Sequence, residues 1–226
     1  MSGTLLVEGV DDQEVIKQLL GHWSYSLIPG DSNKRLRHSE FGNLTITQEG
    51  GFGPMLQKLD VYWRGTNTLN LGLVVDRDLD LDAKPNPWPS LRNRVLEFAP
   101  ELKPQLPPEQ GPLPKEGIVV VHETGRKLGI WVMPDNETLG TIETFFTALI
   151  PSTDRLWPRA KSAVTEIPAA DRKFGEKSAK AEVHTWLAWQ EDPGARMGSA
   201  INKRYLNAKA ETATAFVEWL EKLLAP

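Results

Sequence analysis

The sequence predicts an α/β fold in which a mostly parallel sheet is flanked by helices and followed by a helical C-terminal segment. Two strand-like apolar stretches lead through polar turns into helical patterns, a third is apolar throughout, and the pattern is helical from residue 139 onward. The chain has 226 residues, 40% of them hydrophobic and 25% charged, so it can bury a core. We expect one domain over residues 1–226, with a sheet-containing core in 1–150, a proline-rich insertion at 84–117 and a helical layer at 151–226.

The pattern in the first third of the chain predicts strands that alternate with helices. Residues 4–7 predict a first strand, and Asp12 takes the N-cap or first-turn position of the helix that follows. Further strands are predicted over 25–28 and 44–47, and Gly50 and Gly51 introduce a short helix that runs through residue 59. Residues 69–75 are almost continuously apolar, which is typical of a central parallel strand buried on both faces.

The remainder of the chain changes from proline-rich to helical. Residues 84–117 are expected to cross the surface around one helix at 91–98, because most of the prolines lie there. Residues 118–121 and 128–133 predict a hairpin. Helices are then predicted over 139–150, 155–164, 176–190, 195–206 and 210–224.

Carboxylates follow two of the predicted strands. Glu8 comes directly after the first strand, and Asp76 and Asp78 follow the buried strand at 69–75. Ligands of open α/β sheets bind just outside the carboxyl ends of strands, and residues two apart in extended backbone point to the same side. For Glu8 alone, a solvated loop glutamate is the simpler interpretation. Three gathered carboxylates would repel one another unless they were protonated or bridged by a cation, and their hard oxygens suit Mg²⁺ or Mn²⁺.

The composition of the chain limits which metal sites and which binding partners are expected. The chain has no cysteine and only four scattered histidines, so a metal would be held by oxygen. No apolar run approaches the length of a membrane span, and we expect a cytoplasmic protein without a membrane partner. Because the net charge is -4, nucleic acid could bind only at local basic patches. Each patch alone is more typical of a solvated surface. These patches are Lys34, Arg35 and Arg37; Arg155, Arg159 and Lys161; and Arg172, Lys173 and Lys177.

Two motifs resemble those of the Toprim domain. A hydrophobic-Glu-Gly-x-x-Asp motif spans Glu8 to Asp12, and a hydrophobic-Asp-x-Asp motif contains Asp76 and Asp78. Bacterial primases, topoisomerases and overcoming-lysogenization-defect nucleases share this domain. The later segments Met133-Pro134-Asp135-Asn136, Gly140-x-x-Glu143, Lys180-Ala181 and Trp186-Leu187-Ala188 look like a stand-alone Toprim-like family of bacteria and archaea. The resemblance implies a Toprim-like (Rossmann-like) fold, Glu8 as general acid or base, and magnesium at the aspartate pair.

Two residues of the predicted C-terminal helices are further candidates. Glu143 lies beside the apolar stripe of its helix, and nuclease-type Toprim proteins use such a glutamate in a second metal site; the alternative is a glutamate that reaches water at the edge of the stripe. Lys180 leans toward the buried side of its helix and could stabilise charge on a phosphate, or could be a snorkelling lysine. Asp12, Asp80 and Asp135 are expected further from the metal, and Asp135 could instead belong to a simple turn.

The sequence therefore favours a metal-dependent phosphoryl-transfer enzyme, a nuclease acting on DNA or RNA. Its catalytic residues would be Glu8 and Lys180, and its ligands for Mg²⁺ or Mn²⁺ would be Glu8, Asp76, Asp78 and Glu143. No phosphate-binding loop of an ATPase is present, so an overcoming-lysogenization-defect arrangement, and the phage defence associated with these relatives, would need a separate ATPase subunit. The alternative is a non-catalytic Toprim-like module that binds a nucleotide, an RNA or a protein partner.

Overall fold

The computed structural model describes residues 2–32, 35–65, 69–77, 86–175 and 178–226. The strands in these ranges are β1 (Ser2–Val7), β2 (Ser26–Leu27), β3 (Leu36–His38), β4 (Gly42–Gln48), β5 (Asn70–Asp76), β6 (Ile118–Val121) and β7 (Lys127–Met133). The α-helices are α1 (Val10–Gly21), α2 (Phe52–Arg64), α3 (Pro87–Phe98), α4 (Ile142–Ala148), α5 (Leu156–Thr165), α6 (Ala179–Ala188), α7 (Met197–Asn202) and α8 (Glu211–Leu224). A 3-10 helix covers Pro100–Gln105.

All seven strands form one sheet in the order β2-β3-β4-β1-β5-β7-β6. The four central strands β4, β1, β5 and β7 are parallel, with Leu5 opposite Ile46 on one side and Gly72 on the other. The pairs β2–β3, β3–β4 and β6–β7 are antiparallel, so the hairpin predicted over 118–133 is present. The prediction of a mostly parallel sheet flanked by helices is therefore confirmed, and the apolar composition of β5 reflects its central place in that sheet.

Helices cover both faces of the sheet. One face packs against α1, α4 and the C-terminal helices, in a core that contains Val15, Phe146 and Trp219. The other face packs against α2, α3 and the 3-10 helix, through residues such as Leu59 and Leu91. Apolar side chains of β1, β5 and β7 point alternately into the two cores, which explains the continuous apolar runs of these strands; β4 buries only Leu44 and Ile46, both in the first core.

The composition of the proline-rich insertion suggested a segment that crosses the surface, but the structure shows a segment that also packs into the fold. Its helix α3 begins at Pro87, earlier than predicted, because the Asn86 side chain accepts a hydrogen bond from the Trp88 amide and proline is well suited to a first helical turn. Trp88 is fully buried, and its indole N–H donates to the carbonyl of Pro108 at 2.9 Å. The insertion therefore forms a layer of the fold and covers one face of the sheet.

Several element boundaries differ from the predictions. The helix predicted from 139 begins at Ile142, because Gly140 pairs with Arg77 through two backbone hydrogen bonds of 2.6 and 2.9 Å and stays outside the helix. Helix α2 extends to Arg64, and α7 is shorter than the predicted helix over 195–206. Strand β3 was not predicted, because three residues beside a basic loop show no usable periodicity.

The carboxyl ends of the four parallel strands lie at the same edge of the sheet. Val7 is opposite Gln48, and Asp76 is opposite Met133, so the chain leaves β1, β4, β5 and β7 at similar heights. Residues that directly follow these strands are thereby brought together. Across the described ranges, none of the helices combines the length and the apolar character needed to cross a bilayer.

Candidate functional site

An open crevice of about 400 Å³ lies at the carboxyl edge of the parallel strands. Its charged lining residues are Glu8, Asp11, Asp12, Asp76, Glu143 and Lys180. The turn after β4 also contributes, through Gln48, Gly50 and Gly51. The crevice therefore lies where ligands of open α/β sheets bind, and acidic groups dominate it.

Glu8 is held between the two strands that flank β1. Its Oε1 accepts a hydrogen bond from the backbone N–H of Asp76 at 2.9 Å, across 68 residues of sequence. On the opposite side, its backbone carbonyl accepts from the amides of Gly50 and Gly51 at 3.0 and 2.9 Å. Both glycines have positive φ values, 79° and 119°, which lets the chain turn sharply beside Glu8. The Glu8 carboxylate of the first motif thus forms a hydrogen bond with the backbone of Asp76 in the second motif.

Asp76 connects the end of β5 to the start of α4. Its Oδ1 accepts a hydrogen bond from the Ile142 amide at 3.1 Å, which satisfies one of the free N–H groups of that helix. The pairing of Arg77 with Gly140 fixes the position of the segment before α4 against the end of β5. Gly140 cannot easily be replaced by another residue. Its φ is 158°, and a Cβ atom there would lie 2.6 Å from the Cβ of Thr144. This connection places Asp76 beside the turn of α4 that carries Glu143.

Glu143 is buried and has two partners. Only 8% of the residue is exposed. The Thr141 hydroxyl donates to its Oε2 at 2.7 Å, and the Lys180 ammonium lies 3.5 Å from its Oε1. The same ammonium lies 4.0 Å from Oδ2 of Asp11. Glu143 therefore leans inward as its helical position indicated. The Lys180 side chain, in contrast, is 63% exposed and reaches the crevice from the protein surface.

Asp12 is the most deeply buried acid of the crevice. It occupies the first turn of α1 as predicted, where its Oδ2 accepts from the Gly9 amide at 3.1 Å. Burial is the main cause that raises the pKa of Asp12 from 3.8 to about 7, and the negative charges of Glu8 and Glu143 raise it further. Asp12 is therefore partly protonated near neutral pH, and a cation in the crevice would favour its ionised form.

The other predicted acids are not all at the crevice. Asp135 does not line it: its Oδ1 accepts from the amides of Glu137 and Thr138 at 3.0 and 2.7 Å, so it organises the turn after β7. Asp78 and Asp80 lie outside the described residues. The structure thus brings Glu8, Asp12, Asp76, Glu143 and Lys180 together and leaves Asp135 in a turn.

Three helices begin at the crevice. The first residues of α1 and α4, Val10 and Ile142, line it, as does Gly51, the N-cap of α2. The positive ends of the helix dipoles favour anions, so they stabilise ionised carboxylates and would attract a phosphate. The crevice therefore combines negative side chains with positive backbone dipoles.

The chemistry of the donors fits a hard divalent cation. Mg²⁺ is usually bound by one or two carboxylates and completes its coordination with water and substrate phosphates. Glu8 and Asp76 offer such a pair at adjacent strand ends. Among the residues that the structure describes, no three acidic or histidine side chains are grouped closely enough to hold one ion by themselves. Glu8 and Asp76 are therefore the described residues that would hold such an ion.

Sequence reasoning missed several residues of this site. Thr141 directly precedes α4, so the general preference for threonine at helix starts could have identified it as the N-cap, though not as a donor to Glu143. Arg77 lies between the two motif aspartates, and its guanidinium donates to the carbonyl of Glu137 at 2.6 Å. Asp11 showed no signal beyond its negative charge.

Comparisons with known proteins agree with the fold. A solved structure, the C-terminal region of the Burkholderia pseudomallei OLD protein, is similar with a TM-score of 0.50 and 15% identity, over 99% of this chain and 98% of that chain. At this identity the likeness shows a shared fold. Among curated proteins, none matches this sequence. The family model described as "Protein of unknown function (DUF3226)" matches residues 2–225. Because that match spans nearly the whole sequence, the chain belongs to the DUF3226 family.

Proposed function

We propose that this protein is a Toprim-like, metal-dependent phosphoryl-transfer enzyme, a nuclease that cleaves DNA or RNA at the acidic crevice. The observation that carries the proposal is the hydrogen bond between Glu8 Oε1 and the Asp76 amide, which joins the two motifs at one point. The resemblance of both motifs to Toprim domains supports it, as does the fold shared with the C-terminal region of an OLD protein.

The residues of the crevice can be given distinct roles. Mg²⁺ or Mn²⁺, held by Glu8 and Asp76 with Asp78 and Glu143 as further ligands, would supply Lewis-acid stabilisation of charge on the phosphate. Glu8, fixed by the Asp76 amide, would either bind the metal or shuttle the proton as general acid or base. Lys180 is exposed at the crevice, where its ammonium would offset negative charge on a phosphate. The helix N-termini orient the same phosphate.

The proposal includes a cellular setting drawn from the same resemblance. We expect the enzyme to act in the cytoplasm and to work with a separately encoded ATPase subunit, as the overcoming-lysogenization-defect relatives imply. Phage defence fits such an assembly. Copurification of an ATPase with the tagged protein from its native host would support this part of the proposal, and a tagged protein recovered without an ATPase would contradict it.

The test is cleavage of nucleic acid by matched variants. Single-stranded DNA, duplex DNA and RNA are each incubated with the protein and Mg²⁺ or Mn²⁺. We expect Glu8→Gln and Asp76→Asn to lower the cleavage rate by about 10²-fold or more, because each removes a charged group of the reaction. Glu191→Gln serves as control, since Glu191 is exposed beyond the far end of α6. Cleavage that survives both crevice substitutions would show that the site is misassigned.

One observation favours a second function, that of a non-catalytic module binding a nucleotide, an RNA or a protein partner. Glu143 already has a cationic partner in Lys180, which would compete with a metal ion for that carboxylate. Calorimetric titration with Mg²⁺ and Mn²⁺ separates the two functions. Binding that is abolished by Asp78→Asn supports the enzyme, whereas no binding at millimolar metal supports the module.

A further inference from the structure

Basic side chains are exposed just before helix α5 and along it. Arg155, Arg159 and Lys161 are all exposed, whereas Ala160 and Val164 face the core. The surrounding segment 155–173 has five basic and two acidic residues, a net charge of +3, although the whole chain carries -4. This segment is thus locally basic in a protein that is acidic as a whole.

Some cations of the described ranges are held in ion pairs. Arg35 is paired with Asp31 at 2.5 Å, and Arg94 is paired with Asp60 at 2.7 Å. Within the described ranges, none of Arg155, Arg159 and Lys161 lies within 4.0 Å of an acidic oxygen. No ion pair of the described residues holds their charge, which is therefore available to an external anion.

An aromatic ring and a shallow depression lie beside these cations, on different sides of α5. The Lys161 ammonium lies 5.5 Å from the ring centroid of Trp157, which is partly exposed. A depression of about 350 Å³ is lined by Pro158, Arg159, Ser162, Ala163 and Glu166. Glu166 is the one acid of this depression, at the end opposite Arg155. Alternating cations and an aromatic surface are what single-stranded nucleic acid binds, through phosphates and stacked bases.

The exposed face of α5 leads toward the crevice. Helices α5 and α6 run antiparallel, because Asp154, just before α5, accepts a hydrogen bond from the indole of Trp186 near the end of α6. At the other end, the charge of Lys161 acts on Glu182 in the first turn of α6. Lys180, which reaches into the crevice, lies in that same turn.

We propose that Arg155, Arg159 and Lys161 bind the phosphate backbone of a nucleic-acid strand and direct it along α5 to the crevice. Arg155 and Lys161 are about 9 Å apart along the helix axis, the length of about three nucleotides at 3.4 Å each. This inference rests on the proposed function, because it assigns the route by which that substrate reaches the crevice. Phosphates contacted on α5 are the non-reacting ones.

The test measures binding separately from cleavage. Fluorescence anisotropy is recorded in EDTA with labelled single-stranded DNA, RNA and duplex DNA of ~20 nucleotides, between about 50 and 200 mM KCl. The variant replaces Arg155, Arg159 and Lys161 with alanine. Its control replaces Arg64, Lys103 and Lys222, exposed cations of three separate elements, so that the net charge of both proteins is equal. A further variant, Arg155→Lys with Arg159→Lys, keeps the charges and is expected to bind like wild type.

The α5 variant is expected to lose about 10-fold or more in affinity, and its slope of log K against log salt should become shallower by about 2, since three phosphate contacts contribute ~0.7 each on a single strand. The control should change the slope by less than about 1. Equal losses in both proteins, or wild-type protein that binds no nucleic acid, would overturn the inference. Binding to anionic phosphatidylserine vesicles in place of nucleic acid would overturn it too.

Failure of the catalytic proposal would look different. If the crevice is not an active site, Asp76→Asn will leave any cleavage unchanged, while the α5 variant still loses binding in EDTA. If α5 is not the binding surface, Asp76→Asn will abolish cleavage, while the α5 variant binds and cleaves like wild type. Circular dichroism of each variant confirms that its helices are intact.

Discussion

Replacing Asp12 with asparagine tests the electrostatics of the crevice most directly. Asparagine has almost the same shape, and its side-chain oxygen can still accept the hydrogen bond from the Gly9 amide. The substitution removes only the ability to ionise. Because the native pKa of about 7 lies above the ordinary 3.8, the native state of the wild type holds a proton in this range that the unfolded state releases.

The size and sign of the effect follow from this difference. The stabilising contribution of protonated Asp12 is complete below pH 4 and is lost as the pH rises through 7. A pKa change from 3.8 to about 7 corresponds to about 4 kcal/mol. The variant should therefore gain about 4 kcal/mol in unfolding free energy relative to wild type between pH 4 and pH 8. Saturating Mg²⁺ should reduce this gain, because a cation near Glu8 favours ionised Asp12.

The assay is urea denaturation of both proteins across this pH range, first in EDTA and then with Mg²⁺. Asp171→Asn provides the control, because Asp171 is exposed in the loop after α5. The control should follow wild type at every pH. A difference between Asp12→Asn and wild type that stays below about 1 kcal/mol from pH 4 to pH 8 would refute the claim that burial and neighbouring carboxylates protonate Asp12.

Two further predictions concern the support of the site. Gly72→Ala should destabilise the protein by about 1–3 kcal/mol, because a Cβ atom would lie 2.6 Å from Leu5 Cδ1 and 2.9 Å from Leu223 Cδ2. An unchanged urea midpoint would contradict the packing of α8 on β5. Lys58→Met should lower the free energy of unfolding by about 1–3 kcal/mol at pH 7, because Glu49, whose side chain is 1% exposed, loses the Lys58 ammonium at 2.7 Å. Stability equal to wild type in urea titrations would refute this pairing.

Local patterns in the sequence predicted most of the strands and the acidic residues at their ends. Short, apolar or alternating stretches predicted β1, β4 and β5, because the side chains of a strand face its neighbours with a period of two. The boundaries of α3 and α4 were less predictable. Both starts depend on contacts of the loop before the helix: the Asn86 cap for α3, and the pairing of Gly140 with Arg77 for α4.

By itself, the sequence determined that this chain builds an α/β sheet and that Glu8 and Asp76 each follow a buried strand. Only the tertiary structure decided that these strands are neighbours, so that the Glu8 carboxylate meets the Asp76 amide, and that Lys180 reaches Glu143. The physical reason is the range of the interactions. Strand formation follows from side chains close in sequence, whereas strand order and the packing of α6 near α4 depend on contacts between distant segments, which no local pattern records.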